Sequence, residues 1–169
     1  MAVTVTDHSV QVKAKLARAI TKALYESGSE VASHANRNVK TQNDAGQKLR
    51  GSYRAVQTAP YKMEVGTSLE EGLWEEFGTG SHADTAKNGG VAGRTDWWVY
   101  VTNETPRATH PVHLSEDEAQ AIAASMRERG KDAHASDGND PNYTLEKAFI
   151  SNKDTIERIF ENDIRTGMT

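Results

Sequence analysis

The sequence predicts an α+β fold, with a small, mainly antiparallel sheet packed against long N- and C-terminal helices. Apolar residues recur at helical spacing near both ends of the chain. Between them, Tyr61–Thr67 shows the two-residue side-chain period of a strand, and Trp97–Asn103 reads as a strand apolar on both faces. Glycine, proline and small polar residues separate these segments and mark turns.

The first helix is expected from Ser9 to Asn36. Val12, Leu16, Ile20 and Leu24, with Ala19 and Ala23, form one stripe that Val31 and Ala35 extend. Asp7 or Ser9 is placed to cap its start. Gly28 marks a kink or break near Ser27-Gly28-Ser29, because glycine in a helix costs about 1 kcal/mol relative to alanine. Asn36–Gly46 reads as a polar loop. Ser52–Thr58 and Tyr61–Thr67 form paired strands with Pro60 at the turn, where its missing N–H costs no ladder bond. Ser68 and Glu71 have capping-box spacing, so a short second helix is expected there, ending at Gly78.

Gly80–Thr95 reads as a flexible loop. Trp97–Asn103 is apolar on both faces, with Trp98 and Tyr100 opposite Trp97, Val99 and Val101, as suits a central strand or a covered edge. Ser115 and Glu118 open another helix, with Ala119, Ile122, Ala123 and Met126 on its apolar face and Gly130 as its stop. A short strand is expected around Ala133–Ala135. The last helix runs from Tyr143 to Ile164 on Leu145, Ala148, Phe149, Ile156, Ile159 and Phe160.

At 169 residues, with 36% apolar content and a mean hydropathy of −0.71, the chain fits one domain whose core is limited or completed against a partner. A net charge of −4 argues against a general DNA-binding protein. The absence of cysteine excludes disulfides and thiolate chemistry. The segment MAVTVTDHSV lacks a signal-peptide pattern and no apolar run reaches membrane-spanning length, so a soluble, unprocessed chain without a membrane partner is expected.

Few residues suggest chemistry. His110 and His113 have H-x-x-H spacing, but the flanking Pro106 and Pro111 oppose the helix that would align two metal ligands. Ser81, His82 and Asp84 are neighbours in sequence only, whereas triads are assembled in space. Gly78-Thr79-Gly80 and Lys87-Asn88-Gly89-Gly90 lack phosphate-loop spacing. Glu70, Glu71, Glu75 and Glu76 suit a solvated helix face, a favourable dipole position or a salt bridge to a neighbouring subunit. Lys48, Arg50 and Arg54 are candidates for an acidic partner or DNA. Trp74, Phe77, Trp97 and Trp98 suit core positions or anchors between subunits. The expected assembly-interface residues are Arg50, Arg54, Trp74, Glu75, Trp97 and Trp98, with no catalytic group, metal or cofactor.

Several elements, in order, resemble the neck family of tailed bacteriophages, the head–tail connector or tail-completion proteins. The first helix ending Ala35-Asn36-Arg37-Asn38-Val39 is similar to the family's opening helix. Asp44-Ala45-Gly46, then Leu49-Arg50 and Ser52, resembles its D-T-G-x-L-R-x-S element, with alanine for threonine and one additional residue before the leucine. Val65-Gly66-Thr67 and Glu76-Phe77-Gly78-Thr79-Gly80 match its later elements. Pro141–Phe149 with Asn152-Lys153-Asp154 resembles its closing helix, although Lys147 stands where a second proline is usual.

The resemblance implies a single neck or tail-completion domain over residues 1–169, with an insertion at about 81–140. It implies a non-enzymatic virion protein at the head–tail junction, present in the host cytoplasm during assembly. The implied partners are further copies in a ring, portal-adaptor or stopper proteins, and tail-terminator or tail-tube proteins, with passing contact to genomic DNA. A small phage-encoded hydrolase and an interaction module outside the virion are the alternatives.

Overall fold

The computed structural model describes residues 7–40, 44–87, 96–102 and 109–169, and among these it leaves the side chains of residues 44–45 and 109–112 undescribed. The opening six residues, part of the 36–46 loop, positions 88–95 of the expected flexible loop, and the connection at 103–108 lie outside the described residues. The chain forms two compact units, one of Met1–Gly72 with Thr144–Thr169 and one of Leu73–Tyr143.

The first unit is built on α1 (Ser9–Asn38). His8 occupies the N-cap with no side-chain cap bond, in place of the expected Asp7 or Ser9, while the Asp7 carboxylate accepts from the Ser9 N–H at 2.8 Å. The helix passes through Gly28 without a break. The expected break is absent, and this glycine has a packing role. A Cβ there would lie 2.8 Å from Met63 Cγ and 2.9 Å from Ala55 Cβ, so only hydrogen lets the hairpin approach this closely. That hairpin is β1 (Arg54–Ala59) with β2 (Lys62–Gly66), antiparallel, with Tyr61 at φ 61° in the turn.

Between α1 and the hairpin lies α2 (Asp44–Leu49), a helix where a loop was expected. Six residues are too few to display a helical period. The expected last helix is two helices, α5 (Thr144–Ser151) and α6 (Lys153–Met168). At the break the Asn152 amide donates to the Ala148 carbonyl at 2.7 Å, a local side-chain bond that competes with the helical ladder.

The core of this unit joins Val31, Ala35, Val39, Leu49, Tyr53 and Ala148, with Val65, Leu69, Leu145 and Ile156 packed around them. Small residues let α1 and α6 meet closely: a Cβ on Gly167 would lie 2.7 Å from the Ala19 Cβ. Lys22 Nζ adds an ion pair to the buried Asp163 at 2.5 Å.

The second unit contains the sheet β5 (Thr109–Leu114), β4 (Trp97–Val101) and β6 (Ala133–Ser136), antiparallel throughout, with β4 central as its two-sided apolar character requires. Helix α4 (Glu116–Glu128) begins with the expected reciprocal Ser115–Glu118 capping box. Its Ala119 and Ala123 pack on Val99, Val101 and Ala133, with Trp97, Leu114, Ile122 and Met126 around them. Arg129 and Gly130 close the helix, and Gly130 takes φ 79°. A two-residue ladder joins β3 (Thr79–Gly80) to β7 (Gly138–Asn139).

The strand pairing described is therefore all antiparallel and is divided among three small sheets. The short helix α3 (Glu71–Phe77) starts three residues after Ser68, the expected cap. Thr67 takes the local role instead: its hydroxyl accepts from the Leu69 N–H at 3.2 Å and forms a turn before the helix.

Candidate functional site

The motif residues near the end of α1 meet in one hydrogen-bonded corner. The Asn36 amide oxygen accepts from the Gly51 and Tyr53 N–H groups at 2.7 and 3.1 Å, and its nitrogen donates to the Tyr53 carbonyl at 3.1 Å. One side chain thereby satisfies three backbone groups at the entry to β1. Ser52 and Thr67 share a hydroxyl bond of 2.7 Å, and the Ser52 hydroxyl also donates to the Leu49 carbonyl at 2.8 Å. Arg50 donates from Nη2 and Nε to the Val39 carbonyl at 3.1 and 3.4 Å. Its guanidinium, expected at an assembly interface, braces the chain between α1 and β1. Arg54 is exposed at the start of the hairpin.

A second corner lies at the end of α3. Gly78 has φ 74°, and a Cβ there would lie 2.5 Å from the Asn139 carbonyl oxygen and 2.9 Å from Pro141. Both the expected helix stop and the close backbone passage require glycine. Glu75 and Glu76, expected on a solvated face, are 8% and 7% exposed. Glu75 accepts from the Asn142 side-chain amide at 2.8 Å, and its main-chain carbonyl accepts from the Asn142 N–H at 2.9 Å.

Tyr143 follows at φ 50°, an uncommon conformation for a bulky residue. It is held by its N–H to the Glu76 carbonyl at 3.1 Å and its hydroxyl to Asp84 at 2.7 Å, with the Lys87 ammonium 4.5 Å from its ring centroid. The Tyr143 hydroxyl bond, first among its partners, lowers the Asp84 pKa. Phe77 in the same motif is half-buried.

Ser81 and His82 do come together with distant carboxylates. His82 Nδ1 lies 2.8 Å from Asp140, and Nε2 lies 3.2 Å from Asp137. The Ser81 hydroxyl donates to Asp137 at 2.7 Å. The Asp140 hydrogen bond above all raises the His82 pKa, and the Ser81 bond lowers that of Asp137. This geometry places the imidazole between two carboxylates, which favours its charged form, with the serine hydroxyl directed at a carboxylate and not at the histidine. It links the turn after β3 to the β6–β7 region.

His113 Nδ1 lies 2.6 Å from Asp96, and the His110 side chain lies outside the described ones. Among the described residues no group of three or more side chains is placed to hold a metal.

Among the described residues, each unit exposes apolar surface. In the first unit, an apolar groove of about 330 Å³ runs between α1, the hairpin, α5 and α6, lined by Leu24, Val31, Met63, Val65, Phe149 and Phe160 among others. Beside it Phe149 and Ile150 are 57% and 64% exposed. The second surface is the outer face of α3, where Leu73 and Trp74 are 41% and 43% exposed. Trp97 packs against the second core, and Trp98 is half-buried on the opposite face of β4.

Sequence reading missed the Glu75–Asn142 pair and the His82 cluster, whose members stand 67 and more than 50 residues apart. The Pro141-Asn142-Tyr143 element before α5 was the available signal for the first, while nothing local signalled the second. No family model, curated protein or solved structure matches this chain.

Proposed function

We propose that the protein is a structural component of the bacteriophage neck, joining or completing the head–tail interface around the DNA channel as one subunit of a ring. The observation that carries this reading is the use made of the residues that resemble the neck family. At one corner Asn36 bonds the Gly51 and Tyr53 backbone, Arg50 bonds the Val39 carbonyl, and Ser52 bonds Thr67. Glu76, Gly78, Asn142 and Tyr143 belong to the other, where Glu75 provides the buried link. Motif residues spent on holding chain crossings suit a subunit whose product is a shape.

The open apolar groove and the exposed Leu73–Trp74 pair supply surface that assembly would cover. In a phage carrying this gene, its clean deletion is expected to yield DNA-filled heads and separate tails that fail to join, or joined particles that leak. Normal infectious particles from the deletion would overturn the reading.

A further inference from the structure

We propose that the groove between α1 and α6 seats an amphipathic helix of a different protein, one whose apolar stripe is flanked by lysine or arginine. The proposal rests on the assembly reading only for the source of that helix. The seat itself follows from the first unit.

The two helices run antiparallel. Ala19 meets Gly167, Lys22 pairs with Asp163, and Leu24 and Phe160 line one groove, so positions descend along α6 as they rise along α1. Helical spacing carries the groove past its lining. Ile20 and Leu16 stand one and two turns before Leu24, and Ile164 and Met168 stand one and two turns after Phe160. Ile20 and Ile164 are half-buried, and Leu16 and Met168 are each 36% exposed. At its other end the groove reaches Val31 and the exposed Phe149.

Leu16 to Val31 spans about 22 Å at the helical rise per residue, the length of a helix of about four turns. Such a stripe between two helical walls is what the apolar face of a third helix fills. Ser27 adds a polar demand within the lining. It is buried, and its hydroxyl has no hydrogen-bond partner among the described residues. A polar side chain in the incoming stripe would satisfy it.

Charge beside the stripe selects the occupant. Glu157 and Glu161 stand three residues before Phe160 and Ile164, so each borders the stripe on the α6 wall, and both are exposed. Neither is ion-paired among the described residues, whereas Glu26 and Glu64 in the same unit have lysine partners. Lys13 and Lys153 border the two ends with the opposite sign. The complementary helix is therefore basic at its middle, on the side that meets α6.

The test uses the full-length protein and a labelled synthetic helix of about 15 residues. Leucines form one face of this peptide and lysines flank its middle; a twin carries glutamates in place of the lysines. The lysine peptide is expected to bind saturably and the glutamate twin weakly. Glu157→Lys together with Glu161→Lys, both at exposed positions, is expected to invert that preference by about tenfold for each peptide. Leu16→Glu is expected to weaken the lysine peptide as well. Amide NMR shifts caused by the peptide should centre on residues 16–31 and 156–168.

Absent saturable binding, indifference to the charge inversion, or shifts centred elsewhere would overturn the seat. So would a parent chain that sediments as a dimer and becomes a monomer on Leu16→Glu, because a second copy would then cover the groove. If the peptide binds as expected and the chain is absent from particles, the neck reading falls and the seat stands. If the chain sits at the neck and the peptide tests fail, the seat falls and the neck reading stands.

Discussion

The side-chain amide of Asn142 donates to the Glu75 carboxylate over 2.8 Å, and both residues are almost sealed from solvent, at 5% and 8% exposure. This bond fastens the end of α3 to the segment that enters α5. A buried carboxylate is tolerated where hydrogen bonds replace its lost water. Glu75→Ala removes this buried acceptor and is expected to cost about 1–3 kcal/mol in chemical denaturation. Glu75→Gln keeps an oxygen acceptor and is expected to cost less. Equal stability of Glu75→Ala and parent would show that the bond does not hold the seam.

Gly28 gives a test in which the sign decides. Were it only a weak point in α1, Gly28→Ala would stabilise the protein by about 1 kcal/mol through helix propensity. The Cβ would, however, press on Met63 and the Ala55 Cβ at 2.8 and 2.9 Å. Overpacking of this kind costs about 1–3 kcal/mol. We therefore expect a lowered denaturation midpoint for Gly28→Ala and a larger drop for Gly28→Val. A midpoint raised by alanine would contradict the close approach of hairpin and helix.

At Gly78 the backbone conformation and the neighbouring chain act together. Valine there incurs about 1–3 kcal/mol of backbone strain, and its Cβ would also meet the Asn139 carbonyl oxygen. Gly78→Val is expected to destabilise more than Gly130→Val. Gly130 also has positive φ, at 79°, but nothing lies within 4 Å of its Cβ position. Thermal unfolding of the two variants side by side separates strain from clash.

The His82 bridge predicts a pH window. Its Asp140 bond and the neighbouring Asp137 raise the folded pKa above the ordinary 6.5, so its contribution is full below 6.5 and is lost as pH rises through the raised value. Asp137 is lowered from 3.8 by Ser81, so its contribution is present above 3.8 and is lost as pH falls through the lowered value. The turn after β3 is thus held best between these limits. NMR titration should show a raised His82 pKa that drops in Asp140→Asn, with faster exchange of the Ser81 amide at high pH after correction for its intrinsic rate. A His82 pKa insensitive to Asp140→Asn would count against the bridge.

The α+β class and its largest elements were legible because each has a local cause. The stripe of α1, the two-sided apolar β4 and the Ser115–Glu118 box are written in contiguous residues. Three features were not legible because their causes are not local. Gly28 reads as a helix weakness until Met63 and Ala55 are seen against it. Glu75 and Glu76 read as solvent-facing until the Asn142–Tyr143 segment covers them. The final helix reads as continuous because its apolar stripe crosses Asn152, whose side chain bonds to Ala148 at the break. Of the candidate interface residues, Trp74 is exposed, whereas Arg50 and Glu75 make hydrogen bonds within the fold.

The neck assignment is tested most directly by reconstructing purified particles of the phage that encodes this chain and fitting the structure at the head–tail junction. The expected result is a closed ring of copies around the channel axis. A chain absent from the particle, or present as a twofold dimer away from the axis, would contradict it.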